Sequence, residues 1–258
     1  MPDLPKNKFK EALLAGKRQI GLWVTSRDAV ATEMLAQTGF DAITIDCEHT
    51  THDIHSVVQA LQAMKGTDVS PVVRPPSNDP IFLKRLLDAG VQSFVIPYVQ
   101  NADEARLAAE AVAYAPNGFR GVAGATRATM FGAIPNYFTR ARDEICLIVQ
   151  VESQEALDNI EEIAAVDGVD GIFIGPADLA MSLGYPGQLK APAVLEAIAD
   201  GVRRIVAAGV PAGFLSRDQE SIDIAAEAGA TYLVPDIDLG MMRDAALQKV
   251  AKFQYLKD

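Results

Sequence analysis

The sequence is poor in cysteine, in positive charge and in long apolar runs. Its 258 residues include two cysteines, too few for a disulfide framework, so we expect a reducing compartment, the cytoplasm. Lys and Arg number 23 against 34 Asp and Glu, a formal charge of −11 that argues against nucleic acid or a membrane surface as a partner. No apolar run approaches the roughly 18 residues of a membrane span. The N-terminus also lacks the apolar core of a signal peptide.

A regular alternation of short β-branched runs with longer Ala- and Leu-rich segments of helical period extends through the chain. It is typical of repeated βα units and a parallel sheet. Eight units in about 250 residues predict a TIM (β/α)8 barrel, a single domain over residues 1–258 with an initial helix near Asn7–Ala15. A Rossmann sheet would need a Gly-rich turn after Val24, which is absent. The predicted strands are Ile20–Val24, Ala42–Asp46, Pro71–Arg74, Phe94–Val99, Cys146–Glu152, Gly171–Gly175, Ala212–Ser216 and Tyr232–Asp236.

Helices are predicted after each strand, and many of them end at a glycine. One of these helices is predicted over Glu155–Ala165. The segment Pro116–Glu144 is predicted to be a long irregular connection, which forms either a lid or a subunit contact.

Two carboxylates follow neighbouring predicted strands, at the barrel end where TIM-barrel active sites are built. Glu152 and Asp178 would suit a hard cation such as Mg²⁺ or Mn²⁺ and would leave positions for water and substrate oxygens. The alternative is that both residues cap helices, because Glu-Ser-Gln-Glu and Gly-Pro-Ala-Asp resemble helix starts. Spacing alone does not decide between these interpretations.

Arg74 ends an apolar strand, where a guanidinium can stabilise an enolate or clamp a carboxylate through two parallel hydrogen bonds. The alternative is a structural ion pair with Asp46 or Glu48. The sequence Gly-Pro-Ala-Asp at 175–178 is predicted to open a helix. Its free N–H groups would form a ready site for an anionic substrate group.

The three histidines, His49, His52 and His55, lie close together but lack any accepted zinc spacing. His49 is nearest the strand end and is the better acid–base candidate, whereas His52 and His55 are expected to be exposed residues at a helix start. Cys47 is assigned to packing. We find no lysine at a strand end, which argues against chemistry through a Schiff base.

Five spaced motifs occur in order along most of the chain: Gly21–Trp23 (GLW), Phe40–His49 (FDAITIDCEH), Pro71–Pro75 (PVVRP), Val149–Ser153 (VQVES) and Gly168–Gly184 (GVDGIFIGPADLAMSLG). Together they resemble the HpcH/HpaI aldolase family, in particular its 4-hydroxy-2-oxoheptanedioate aldolase branch. That family comprises metal-dependent, pyruvate-specific class II aldolases with a TIM-barrel fold.

The resemblance implies roles for the residues at the strand ends. Glu152 and Asp178 would ligate a divalent cation, Mg²⁺, Mn²⁺ or Co²⁺. Arg74 would hold the keto oxygen of pyruvate and stabilise its enolate. His49, near Asp46, would be the acid–base residue, acting directly or through a water molecule.

The resemblance also implies a homo-oligomer, commonly a hexamer, with active sites near subunit interfaces. Asp88 would then partner the histidine across a subunit boundary. The remaining implied substrate-binding residues are the backbone near Gly175, Ala177 and Asp178 for the carboxylate, Gln150 for a water beside the metal, and Trp23, Val122 and Leu215 for the pocket wall.

The expected reaction is reversible cleavage of a 4-hydroxy-2-oxo acid to pyruvate, or an analogue such as hydroxypyruvate, and an aldehyde. The alternatives are cleavage of a 2-dehydro-3-deoxy sugar acid, decarboxylation of oxaloacetate, a CoA-thioester lyase, for which the chain is short, and a non-catalytic 2-oxo-acid binder. The departures from close relatives leave the aldehyde preference open. They are Cys47, His52, His55, Phe214, Ser216 and the stretch Ala123–Phe131.

Overall fold

A computed structural model of the protein describes residues 2–257 and shows a closed barrel of eight parallel strands. Each strand pairs with the next one in the chain, and the last pairs with the first to complete the ring. The predicted TIM barrel is therefore confirmed. The strands are β1 Gln19–Val24, β2 Ala42–Asp46, β3 Ser70–Arg74, β4 Ser93–Ile96, β5 Cys146–Val151, β6 Gly171–Ile174, β7 Ala212–Leu215 and β8 Tyr232–Val234.

Helices surround the barrel, and the expected helix before the first strand is present. Two 3₁₀ turns, Ala141–Glu144 and Gln254–Leu256, accompany them. The α-helices are α1 Lys8–Leu14, α2 Ala29–Leu35, α3 Ile54–Ala63, α4 Pro80–Asp88, α5 Ala102–Ala111, α6 Tyr137–Arg140, α7 Gln154–Asp158, α8 Ile160–Ala164, α9 Pro176–Ser182, α10 Pro192–Ala207, α11 Gln219–Ala228 and α12 Asp238–Lys252.

The strands are apolar on both faces because they separate two apolar regions. One region lies inside the barrel, where Phe9 and Leu13 of α1 are fully buried at the amino-terminal end. There the ring of Phe9 meets Tyr232 edge-on, with 4.9 Å between centroids. The other region lies between the strands and the surrounding helices. Helix α1 therefore closes the amino-terminal end of the barrel interior with apolar side chains.

Helix starts explain part of the polar sequence that follows each strand. Asp53 caps α3 by accepting a hydrogen bond from the Ser56 amide, and Ser153 caps α7 in the same way from the Ala156 amide. Helix α11 ends at Gly229, whose φ of 112° is strained for any residue with a side chain. Polar residues at the strand ends are therefore a mixture of helix caps and candidate site residues.

The single helix predicted over Glu155–Ala165 is wrong, because the chain breaks at Asn159 into α7 and α8. Asn159 has φ −101° and ψ 12°, and its side-chain amide donates to the carbonyl of Gln100 at 2.9 Å. The buried residues continue across the break at helical spacing. Hydrophobic periodicity therefore gives no sign of it.

The connection Pro116–Glu144 is less irregular than expected, since it contains α6 and a 3₁₀ turn. Its residues Ile134, Tyr137 and Ala141 are buried in a small apolar cluster with Leu4. Across residues 2–257, no helix combines the length and the apolar character needed to cross a bilayer.

Candidate active site

A cavity of about 300 Å³ opens at the carboxyl-terminal end of the barrel. Its walls come from the ends of strands on several sides of the ring and from the loops that follow them. The lining residues are Trp23, Thr25, Asp46, His49, Arg74, Gln150, Glu152, Phe173, Gly175, Pro176, Ala177, Asp178, Leu215 and Ile237.

Arg74 is a buried guanidinium held in a fixed orientation. Its Nε and Nη2 each donate to one oxygen of Asp46 at 2.8 Å, and its Nη1 lies 2.9 Å from Glu48 Oε2. The guanidinium carbon lies 4.8 Å from the centre of the Trp23 ring. This is the ion pair that the sequence left as an alternative. Because Arg74 also lines the cavity, the same pair orients its positive charge toward any ligand there.

The Arg74–Asp46 pair is ionised. Burial favours the neutral form of Asp46, but the hydrogen bond and charge of Arg74 outweigh burial and lower the pKa of this carboxyl. Burial likewise disfavours the guanidinium, yet its contacts with Asp46 raise the pKa of Arg74. The site therefore contains one permanent positive charge.

Glu152 is buried at the end of β5 and faces the cavity. Its Oε1 accepts a hydrogen bond from the backbone N–H of Tyr98 at 2.8 Å. Its Oε2 accepts one from the side-chain amide of Gln150 at 2.6 Å. Burial and the nearby charge of Glu48 raise the pKa of Glu152 to about 7, and Asp178 adds to the effect. Ser153 is the residue that caps the following helix, so the capping alternative for Glu152 is wrong.

Two backbone features make the placement of Glu152 possible. Tyr98 has φ +56°, a left-handed conformation that is rare for a large side chain and that directs its N–H at the carboxylate. A Cβ at Gly175 would lie 2.3 Å from Glu152 Oε2 and 2.5 Å from Gln150 Nε2. Only glycine therefore allows the loop after β6 to approach the β5 side chains so closely.

The rim of the cavity holds the more exposed candidates. Asp178 and Ala177 lie in the first turn of α9, whose leading N–H groups have no partner within the helix. Asp178 is the third residue of this helix, which begins after Gly175 without a side-chain cap. The His49 side chain is 65% exposed, and its Nε2 lies 3.8 Å from Glu48 Oε2.

Glu48 belongs to this site, although sequence reasoning treated it only as a possible ion-pair partner. Its Oε2 is buried, lies 2.9 Å from Arg74 and accepts no hydrogen bond. Burial raises the pKa of Glu48. Its position beside His49 in the sequence, directly after a strand, was the signal that could have identified it.

The donor set fits a hard divalent cation. Glu152 and Asp178 line one cavity, and Gln150 Oε1 is a buried oxygen without a hydrogen-bond partner. After burial, the negative charges of Glu48 and Asp178 contribute to the raised pKa of Glu152, while Arg74 opposes them. Oxygen ligands of this kind are those that Mg²⁺ and Mn²⁺ prefer. Within residues 2–257, no group of three or more His, Cys, Asp or Glu side chains forms a metal cluster.

The HpcH/HpaI aldolase/citrate lyase family model matches residues 19–245, most of the chain. The chain belongs to this family. A hydroxypyruvate/pyruvate aldolase of Sagittula stellata is 55% identical over 251 residues, covering 97% of this chain and 99% of the relative. A 5-keto-4-deoxy-D-glucarate aldolase of an Enterobacter species is 44% identical, covering 96% and 97% of the two chains.

A solved structure supports the same family assignment. The crystal structure of an HpcH/HpaI aldolase/citrate lyase family protein from Burkholderia cenocepacia matches with a TM-score of 0.93 and 35% identity. It covers 96% of this chain and 100% of its own. The protein is thus a carbon–carbon lyase of the HpcH/HpaI family.

Two residues to which the family resemblance gives site roles do not line the cavity in this protein. Asp88 ends α4 and pairs with Arg120 at 3.1 Å, the Arg120 side chain being fully buried against the ring of Tyr114. Val122 lies in the connection after β4 and is exposed. The other predicted site residues, among them Trp23 and Leu215, do line it.

The expectation that His52 is exposed is wrong, whereas His55 is exposed as expected. His52 is buried, with Nε2 3.0 Å from the Ser26 carbonyl and Nδ1 3.0 Å from Ser56 Oγ. Burial lowers the pKa of His52. This neutral histidine ties the loop after β1 to α3. Asp238 holds the same loop, because its carboxylate accepts hydrogen bonds from the backbone N–H groups of Thr25 and Ser26 at 2.9 and 3.0 Å.

Proposed function

We propose that the protein is a metal-dependent class II aldolase that reversibly cleaves 4-hydroxy-2-oxo acids to pyruvate or hydroxypyruvate and an aldehyde. The observation that carries this proposal is the oriented Arg74 guanidinium in the same cavity as Glu152 and Asp178. In this cavity the positive charge of Arg74 would stabilise an enolate oxygen. The name of the 55% identical relative, a hydroxypyruvate/pyruvate aldolase, supports the same substrate class.

In this proposal, Glu152 and Asp178 hold the divalent cation, with Mg²⁺, Mn²⁺ and Co²⁺ as candidates. When bound, such a cation acts as a Lewis acid that polarises the carbonyl of the 2-oxo acid. Gln150 keeps Glu152 in place through its side-chain amide, and its buried Oε1, which has no hydrogen-bond partner, would be available to a water molecule beside the cation.

The 2-oxo acid is oriented by groups on two sides of the cavity. Its keto oxygen accepts a hydrogen bond from Arg74. Its carboxylate accepts hydrogen bonds from the backbone N–H groups at the start of α9, near Ala177 and Asp178. Asp46 and Glu48 stop Arg74 from turning away, so little reorganisation is needed as charge develops on the oxygen.

His49 is the base of the cleavage direction. It accepts the proton of the 4-hydroxyl at a ring nitrogen, and the C3–C4 bond breaks as the aldehyde C=O forms. The bonding pair moves to C3 and gives the enolate of the 2-oxo acid, which is then protonated at C3. Arg74 stabilises the enolate oxygen throughout. In the reverse direction, the enolate carbon attacks the aldehyde, and His49 returns the proton.

A cleavage assay with purified enzyme tests this function. We expect a 4-hydroxy-2-oxo acid to yield pyruvate when Mg²⁺, Mn²⁺ or Co²⁺ is present and to yield none in excess chelator. His49→Ala should lower cleavage by roughly 10²-fold or more, the usual contribution of a positioned base. The exposed His55→Ala is the matched control and should be unaffected. Cleavage at the wild-type rate by His49→Ala would contradict the role of this histidine.

The same proposal includes a homo-oligomer, a hexamer, in the cytoplasm. Apolar side chains of the connection after β4, Phe119, Val122 and Phe131, are exposed on the single chain. A subunit contact would bury such exposed apolar side chains. Cys47 and Cys146 are both buried and unpaired, in keeping with a reducing compartment.

A further inference from the structure

The loop after β4, residues 97–101, reaches the end of β5 through its backbone. The N–H of Tyr98 donates to Glu152 Oε1 at 2.8 Å, and the N–H of Val99 donates to the Gln150 carbonyl at 3.0 Å. Within residues 2–257, the Tyr98 N–H is the one hydrogen-bond donor to this oxygen of Glu152. The direction of that N–H therefore decides how one side of the carboxylate is held.

The conformation of Tyr98 needs support from its surroundings. Its φ of +56° lies in the left-handed region, which is unfavourable for a residue with a large side chain and persists only where neighbouring contacts enforce it. The Tyr98 side chain is 56% exposed, so packing of its ring within this chain does not supply the support. The support within the chain comes from the residues that follow Tyr98 in the loop.

Gln100 carries most of these contacts. Its side-chain Oε1 accepts a hydrogen bond from the Ser153 hydroxyl at 2.7 Å, and its backbone carbonyl accepts one from the side-chain amide of Asn159 at 2.9 Å. Its backbone N–H donates to Glu104 Oε2 at 2.7 Å. These bonds fix the loop two residues after Tyr98, and two of them lead to the segment that directly follows Glu152.

The break between α7 and α8 belongs to the same arrangement. Asn159 stands directly before α8, where an asparagine side chain commonly caps the helix, but it makes no capping hydrogen bond here. Its amide donates to the Gln100 carbonyl instead. Ser153, by contrast, caps α7 and also donates its hydroxyl proton to Gln100. Helix capping therefore does not explain Asn159, whose side chain holds the loop after β4.

Accepting the proposed role of Glu152 as a cation ligand, we propose that Gln100 and Asn159 are positioning residues of the cation site. They hold the loop so that the Tyr98 N–H stays aimed at Glu152 Oε1, which fixes the carboxylate before a cation binds. Neither residue lines the cavity. Removing a residue that orients a metal ligand without touching the metal typically weakens metal binding by roughly 10- to 100-fold.

The test measures cation binding to the purified full-length enzyme by isothermal titration calorimetry. Gln100→Ala removes the acceptor for the Ser153 hydroxyl. Asn159→Ala removes the donor to the Gln100 carbonyl and leaves the Gln100 side chain in place. We expect each variant to raise the Kd for Mn²⁺ by about tenfold. Values within about twofold of the wild type in both variants overturn the inference.

Gln92→Ala is the matched control. Gln92 precedes β4 as Gln100 follows it, and both residues are partly buried. The Gln92 side chain donates to the Pro5 carbonyl at 2.9 Å, at the opposite end of the barrel. Loss of this bond should leave the Kd for Mn²⁺ unchanged. An equal rise in Kd in all three variants would show that binding is weakened through the fold as a whole, and would overturn the inference.

Two further measurements separate positioning from a purely structural role. At saturating Mn²⁺, Gln100→Ala and Asn159→Ala should regain a kcat within about threefold of the wild type, because the groups that contact substrate are unchanged. Without any cation, hydrogen exchange of residues 97–101, followed by mass spectrometry, should be faster in these two variants than in the wild type. Wild-type exchange in both variants, or a kcat deficit that Mn²⁺ does not restore, contradicts the inference.

Failure of the inference is distinguishable from failure of the proposed function. A wild-type enzyme that binds none of Mn²⁺, Mg²⁺ and Co²⁺ overturns the proposed cation site, and the inference with it. Cation binding by the wild type, with the same Kd in Gln100→Ala and Asn159→Ala, overturns the inference and leaves the proposed function standing.

Discussion

The amino-terminal end of the barrel is filled by apolar side chains, whereas the carboxyl-terminal end holds four carboxylates around one guanidinium. At the first end Phe9, Leu13 and Tyr232 are fully buried in one apolar cluster. At the second, Gln150 Oε1 and Glu48 Oε2 are buried without hydrogen-bond partners. The same eight strands thus end in a stabilising core on one side and in a site of unbalanced charge on the other. Substitutions at the two ends should separate stability from activity.

The largest expected effect is at the charged end. Glu152→Gln removes a carboxylate from the proposed cation site and should lower pyruvate proton exchange by about 10³-fold. Its free energy of unfolding should be unchanged or higher, because a buried carboxylate among like charges becomes neutral. Exchange kinetics and denaturant unfolding measure the two effects. A variant that is unstable but fully active when folded would contradict this division.

The corresponding change at the apolar end is Phe9→Ala. Removing a fully buried ring should cost about 3–5 kcal/mol of unfolding free energy through the cavity left behind. Under conditions where the variant is folded, its kcat/KM should equal that of the wild type. Loss of activity in the folded variant would show that the two ends are coupled.

Arg74→Lys keeps the positive charge but loses the two parallel hydrogen bonds to Asp46. We expect kcat to fall roughly 10²–10³-fold, because the lysine cannot be held at the position where oxygen charge develops. The KM for pyruvate should change much less. Steady-state kinetics check this, and a change confined to KM would indicate that Arg74 only binds the ground state.

The pH dependence of stability sharpens the comparison. The pKa of Glu152 in the folded protein, about 7, lies above its ordinary value of 4.5, so the folded state binds this proton more tightly than the unfolded chain. Glu152 therefore contributes about 3 kcal/mol to the free energy of unfolding below pH 4.5. This contribution is lost as the pH rises to 7.

Denaturant unfolding in excess chelator, at several pH values, measures this loss. Between pH 4.5 and 7, the free energy of unfolding should decline clearly more steeply for the wild type than for Glu152→Gln. Equal slopes would show that Glu152 is not the carboxyl whose pKa is raised. The other titrating groups are present in both proteins, so the difference between the curves reports Glu152 together with its charge interactions with Glu48 and Asp178.

The smallest effect concerns the backbone at Tyr98. Tyr98→Gly accepts the positive φ and keeps the N–H that Glu152 Oε1 accepts, so kcat/KM should stay within about threefold of the wild type. Tyr98→Val resists this conformation and should lower kcat/KM further. Kinetics of the pair decide whether the backbone conformation matters. Equal activities would show that it does not.

The sequence contained enough to predict the barrel, because each strand is a short apolar run and many helices are followed closely by a glycine. It also identified Arg74, Glu152 and Gln150 as candidate site residues, because these polar residues stand at strand ends where the core would otherwise continue, and all three line the same cavity. The break at Asn159 was missed because apolar spacing is the same on both sides of it.

Other features depend on contacts between distant segments. The burial of His52 comes from the Ser26 carbonyl, which lies 26 residues away in the chain. The role of Gly175 requires knowing how close Glu152 approaches. The pairing of Asp88 with Arg120 depends on the path of a long connection that has no periodic pattern. None of these distances can be derived from local composition.

The central claim is that the carboxyl-terminal end of the barrel forms an enolate of a 2-oxo acid with the help of a divalent cation. Deuterium exchange into the methyl group of pyruvate, followed by NMR, tests it most directly. The arms are chelated enzyme, enzyme with Mg²⁺, Mn²⁺ or Co²⁺, and Glu152→Gln with the same cations. We predict exchange only in the cation-loaded wild type. Equal exchange by the chelated enzyme or by Glu152→Gln, or no exchange with any cation, would contradict the account.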